Sequence, residues 1–135
     1  MGRDVYVGGT VGHGSAAEIQ KLDYRSVLRM LAVRDRRLFT HVGSDEAENV
    51  AVSQLTPRNA AFARLGALIA LDATCASYIH VVELALAAGV TVEELVGTLV
   101  AVIPDAGGDR AVSGAHKLGL ALGYDVEAAL ERHDP

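Results

Sequence analysis

Between Asp72 and Leu95 the chain reads DATCASYIHVVELALAAGVTVEEL, and the punctuation of this stretch constrains the fold most. Residues 73–88 form an almost unbroken apolar run whose length and composition suit a helix rather than a strand. Gly89 stops that run as a natural residue just past a helix end, because glycine adopts the left-handed conformation without a Cβ clash. Two residues later Thr91 and Glu94 supply a capping box, in which each side chain satisfies a backbone N–H of the new helix. One helix therefore ends and another begins within three residues.

The same signals recur along the chain. Ser15 with Glu18 makes a first capping box, and Tyr24, Val27, Leu28 and Leu31 share one face of a helix over residues 23–32. Gly43-Ser-Asp45 breaks the more polar stretch 34–53. Thr56-Pro57 is a hydroxyl cap with proline at the first helical position, opening a helix to about Asp72. Pro104 ends or kinks the helix that begins after Thr91, since proline cannot donate the helical hydrogen bond. A further helix runs from about Asp109 to Leu122 and stops at Gly123, and Asp125 caps a last one through Arg132. No period-2 alternation competes, so the expectation is an all-α domain over residues 15–135. It is preceded by a flexible glycine-rich arm, residues 1–14. Within that arm Gly9-Thr-Val-Gly12-His-Gly14 lacks the Lys-Ser/Thr ending of a phosphate loop.

Composition narrows the classes. Apolar residues make up 50% of the 135 but aromatics only 4%, so the core is built from Ala, Val and Leu. A single cysteine excludes an internal disulfide framework and fits a reduced compartment. The formal net charge of −5 argues against a nucleic-acid partner, because a phosphate footprint needs a basic face. Acidic residues concentrate after residue 60, while Arg34, Arg36 and Arg37 form a basic group that could bind an anion but is read first as a solvated helix face or a subunit salt-bridge rim. No uncharged apolar run approaches membrane-spanning length and no signal segment is visible, so a cytoplasmic chain with no membrane partner is expected. The helices over 73–88 and 91–103 are apolar on nearly every side. A small chain covers such helices most readily by pairing with copies of itself, so a homo-oligomer is expected.

Four pieces carry a resemblance. They are Leu55-Thr-Pro-Arg58 leading into Ala63-Arg-Leu-Gly-Ala-Leu-Ile-Ala70, Ala85-Leu-Ala-Ala-Gly-Val-Thr-Val-Glu-Glu-Leu95, Leu99-Val-Ala-Val-Ile-Pro104, and Leu120-Ala-Leu-Gly-Tyr-Asp125. Over about residues 55–130 the chain resembles the carboxymuconolactone decarboxylase family, which includes alkylhydroperoxidase D-like proteins. That resemblance implies a helical fold of the alkylhydroperoxidase D-like type, assembled as trimers or hexamers, with pockets for a small molecule near subunit interfaces. Peroxidase-type members resemble Glu-x2-Cys-x2-Cys-x3-His, with the histidine eight residues before the helix-ending glycine. Anchored on Gly89, those positions fall on Leu71, Thr74, Ser77 and Val81, and none matches. Cys75 and His80 each stand one residue away, about 100° around a helix. A one-residue insertion such as a π-bulge would return His80 to register. Decarboxylase-type members lack the cysteine pair and carry a histidine on the corresponding helix, to which His80 is nearest.

Five residues are the candidates for chemistry. His80 and Glu83, three apart on one helix face, fit a general acid–base pair in which the carboxylate orients the imidazole; an interfacial ion pair is the alternative. Cys75 shares an ideal helix face with Tyr78, Ile79, Val82 and Leu86, which reads as a small buried hydrophobe; its place in the first helical turn leaves a reactive thiol open. Tyr78 is a hydrogen-bond donor into a pocket or a buried tyrosine satisfied by backbone. Asp105, after the helix-breaking Pro104, is an acid–base or substrate group or a solvated turn carboxylate. The five histidines show no metal spacing, and neither metal nor cofactor is expected. The leading expectation is acid–base catalysis on a small organic acid or lactone. A non-catalytic oligomer that binds a small ligand or serves as a scaffold comes next, and a single-cysteine peroxidase or reductase third.

Overall fold

The structure, a computed structural model, describes residues 15–43 and 45–133, so the arm expected over residues 1–14 lies outside the described residues. Ten helices account for the described fold, and no strand occurs among the described residues. Helices α1 (Ala16–Gln20), α2 (Tyr24–Ala32), α3 (Arg36–Val42) and α4 (Glu46–Ser53) belong to one compact unit ending at Thr56. Helices α5 (Pro57–Leu71), α6 (Cys75–Ala87), α7 (Val92–Ala101), α8 (Ile103–Ala106), α9 (Gly108–Ala121) and α10 (Val126–Glu131) belong to a second, which begins at Pro57. No helix among the described residues is long and apolar enough to cross a membrane.

In the first unit local chemistry starts every helix. Ser15 and Glu18 complete the capping box expected of them. Asp23, Asp35 and Asp45 cap α2, α3 and α4 by accepting from the backbone N–H groups of Ser26, Arg37 and Glu48. The core is small: Ile19, Met30 and Leu38 are buried, with Phe39, Val42 and Val52 packed against them. The apolar stripe expected on α2 does not supply that core. The helix turns Met30 inward, while Tyr24 stays 67% exposed and Leu28 58%. The apolar face of α2 is broader than a three-residue core can cover.

The second unit is built around α6, which packs against α5 and α9, while α7 packs against the same two helices. Leu65 and Ile69 of α5, Tyr78, Val81, Val82 and Ala85 of α6, Leu95 and Leu99 of α7 and Leu118 of α9 form the core. Each large side chain fully buried there contributes roughly 1.5–3 kcal/mol. Helices α5, α6 and α9 end in the same way. The N–H of the second residue past the helix cap turns back five residues, from Ala73 to Leu68, Val90 to Ala85 and Tyr124 to Gly119. The residue just past the cap is left-handed in each: Asp72 (φ 53°), Gly89 (φ 87°) and Gly123 (φ 83°). Helix α7 ends at Ala101, and Pro104 then stands in the first turn of the short α8.

Candidate functional site

The sequence directs attention to α6, and the burial pattern of that helix decides what it can offer. Thr74 caps it, its hydroxyl accepting from the N–H of Ser77 at 3.4 Å. Tyr78, Val81, Val82 and Ala85 face the core, as the positions covered by α5 and α9. The opposite half carries Cys75, Ile79, His80, Glu83, Leu84 and Leu86, all exposed. The apolar stripe expected through Cys75, Tyr78, Ile79, Val82 and Leu86 is thus split along its length. Tyr78 and Val82 go inward, whereas Ile79 and Leu86 remain 48% and 45% exposed. Cys75 is therefore not a buried hydrophobe of this chain; it stands in the exposed first turn.

Helix α6 is regular from Cys75 to Ala87, with no bulge. The position eight residues before Gly89 is Val81, 2% exposed and part of the core, and His80 stays one position outward. His80 and Glu83 do share the exposed half of α6, with Ile79 and Leu86 on one side of them and Leu84 on the other. Asp105 is exposed on α8, whose main packing partners are α9, α5 and α7 rather than α6.

Tyr78 is wholly buried, and its hydroxyl makes no hydrogen bond among the described residues. It lies against α9 at Gly114, where an added Cβ would stand 3.0 Å from the hydroxyl oxygen. Burial raises the phenol above its ordinary range, and the negative charges of Asp72 and Cys75 add to the effect.

One connected polar group of the second unit is one that sequence reasoning missed. Asp72, between α5 and α6, accepts from Ser113 Oγ at 2.6 Å and Lys117 Nζ at 2.9 Å, and Arg110 stands 3.4 Å away. Lys117 also donates to the backbone carbonyl of Ala73 at 2.7 Å, satisfying an acceptor in the turn after α5. The Ser113 and Lys117 hydrogen bonds hold the Asp72 carboxyl below its usual range, and the charge of Arg110 adds to this. The three donors are spaced i, i+3 and i+7 along α9, which puts them on one helix face. That spacing was readable; the carboxylate it meets, some forty residues earlier, was not. A second tie joins α5 to α7. Arg58 donates to the carbonyl of Gly89 at 2.9 Å and to the Glu94 carboxylate, and stacks 5.4 Å from the Phe62 ring centre. Glu94 is held below its ordinary range by the backbone N–H of Thr91 first and Arg58 second.

Both groups fasten helices through polar partners inside the unit. The exposed half of α6 carries an imidazole and a carboxylate among exposed apolar side chains. No cluster of three or more potential metal ligands occurs among the described residues. Comparison with protein-family models, with curated proteins and with solved structures finds no match.

Proposed function

We propose that the chain is a carboxymuconolactone decarboxylase-like subunit of a homo-oligomer, performing acid–base chemistry on a small organic acid or lactone. The observation that carries this reading is the setting of His80 and Glu83. They share the outward half of α6 with Ile79, Leu84 and Leu86, each more than a third exposed. A second copy laid over that half would take the apolar side chains out of water and enclose the pair. In the resulting low-dielectric pocket an imidazole beside a carboxylate becomes an effective proton-transfer group. His80 would move the proton, Glu83 would orient the ring, and Asp105 would serve as a substrate contact contributed across the interface. Tyr78, sealed against α9, keeps a supporting place behind the helix.

The test is turnover of a panel of small organic acids and lactones by the wild type and by His80→Ala. Loss of a general acid–base group lowers the rate by roughly 10²–10⁴-fold. Full activity of His80→Ala on any substrate the wild type converts would end this reading. The alternative is a non-catalytic oligomer. It would bind a small ligand or serve as a scaffold, and the exposed Ile79, Leu84 and Leu86 would be covered by a second copy in that reading as well. The exposure of Cys75 in a first helical turn keeps a thiol reaction as a third reading, decided by sulfenic acid formation with peroxide.

A further inference from the structure

The first unit contains a groove of about 550 Å3 bounded by α1, α2 and the start of α3. That volume falls in the range of small-molecule sites. Its floor is apolar, with Ile19 2% and Met30 8% exposed, and Leu22 and Val33 extend the apolar surface to the rim. The charges around the rim are not equivalent. Asp35 is held by Arg37 through two side-chain hydrogen bonds of 3.0 and 2.7 Å. Glu18 accepts from the N–H of Ser15 at 3.0 Å, so its carboxylate is engaged at the start of its own helix. Arg29 has only one side-chain hydrogen bond among the described residues, to Ser26 Oγ at 3.2 Å. A guanidinium offers five N–H donors in a planar fork, so most of the donor capacity of Arg29 is unused at the edge of an apolar trough.

We propose that this groove binds a small amphipathic carboxylate. The apolar body lies on Ile19, Leu22, Met30 and Val33, and the carboxylate meets the Arg29 guanidinium. The fork geometry of arginine matches a carboxylate in a two-point contact, whereas an alcohol of the same chain length can satisfy only part of it. A second copy is a poorer occupant. It would bring its own stretch 21–37, in which Lys21, Arg25, Arg29, Arg34, Arg36 and Arg37 outnumber Asp23 and Asp35, against the same basic surface. The groove belongs to the first unit and does not rest on the His80 reading.

Backbone amide NMR of the full chain, titrated with octanoate and in parallel with octan-1-ol, tests the proposal. Octanoate is expected to give saturable shifts confined to residues 18–37. Arg29→Gln should weaken octanoate about tenfold or more, a loss of about 1.4 kcal/mol, and leave octan-1-ol within about twofold. Val33→Asp, an exposed change that leaves the core untouched, should weaken octanoate by placing a carboxylate beside its path. The proposal is overturned by absence of saturable shifts at millimolar octanoate, or by shifts centred outside residues 18–37. Equal effects of Arg29→Gln on acid and alcohol also overturn it. So do shifts that follow protein concentration with no ligand added, which would assign the groove to a second copy.

Discussion

Gly97 and Gly119 are both helical glycines, and the same change to alanine is expected to move stability in opposite directions. Gly97 is exposed in α7, and an added Cβ there meets nothing within 4 Å. Gly97→Ala should therefore gain the propensity difference, about 0.5–1 kcal/mol. Gly119 is buried in α9, and its added Cβ would stand 2.7 Å from the carbonyl oxygen of Tyr124 and 2.9 Å from Val126 Cγ2. The valine can rotate away, but the carbonyl belongs to a turn whose Tyr124 N–H is bonded to the Gly119 carbonyl at 2.7 Å. Relieving the contact moves the turn by several tenths of an ångström and weakens that hydrogen bond, worth about 0.5–1.5 kcal/mol. Overpacking adds roughly 1–3 kcal/mol, and the alanine preference gives back about 1. The net expectation for Gly119→Ala is a loss of about 1–3 kcal/mol. Urea unfolding followed by far-UV circular dichroism, at a concentration where the chain is monomeric, reads both variants. Stability of Gly119→Ala within about 0.5 kcal/mol of wild type would refute the steric reasoning, because that is the scatter of ordinary surface changes.

Other perturbations follow from the polar groups. The folded-state pKa of Asp72 lies below its ordinary value of 3.8, so its contribution is present above that value and is lost as pH falls through the lower one. Asp72→Asn should therefore show a flatter loss of stability below about pH 4 in acid titration; an acid limb identical to wild type would contradict the Ser113–Lys117 tie. Tyr78→Phe removes a buried hydroxyl that has no partner among the described residues, so thermal unfolding should show no loss and a gain of up to about 1 kcal/mol. A loss above about 1 kcal/mol would reveal a partner for that hydroxyl. Cys75 should react readily with a disulfide reagent in dilute protein and more slowly as concentration rises, if copies cover the outward half of α6. A rate independent of concentration, in protein shown to be oligomeric, would place the interface elsewhere.

The helix starts and stops were legible because they are local chemistry. Ser15 with Glu18, Thr91 with Glu94, Pro57, Gly89 and Gly123 act within one turn of where they stand. The facing of α6 was not legible. Its sequence is apolar nearly all round, so periodicity cannot choose an inner side, and the positions of α5 and α9 choose it instead. Helix α2 failed in the opposite way: its stripe is clear, yet a small core takes Met30 rather than Leu28. The end of α5 carries aspartate where α6 and α9 carry glycine, so its left-handed turn left no glycine to read. Ser113 and Lys117, which donate to Asp72, lie more than forty residues away, a distance that no local pattern spans.

Helix α2 closes like the ends of α5, α6 and α9, the Asp35 N–H reaching the Met30 carbonyl at 2.8 Å and Arg34 standing left-handed at φ 55°. Two of these four corners are therefore turned by side-chain-bearing residues, and their evolutionary freedom differs. At Arg34 the guanidinium also stands 5.0 Å from the Phe39 ring centre, so drift toward glycine or asparagine would ease the turn but give up that exposed cation–π contact. At Asp72 the same drift to glycine would relax the backbone and cut the bonds to Ser113 and Lys117 in one step. Asparagine alone keeps the turn and part of the bonding. That corner answers to two unrelated demands on one codon, a left-handed turn and a carboxylate for the donors of α9.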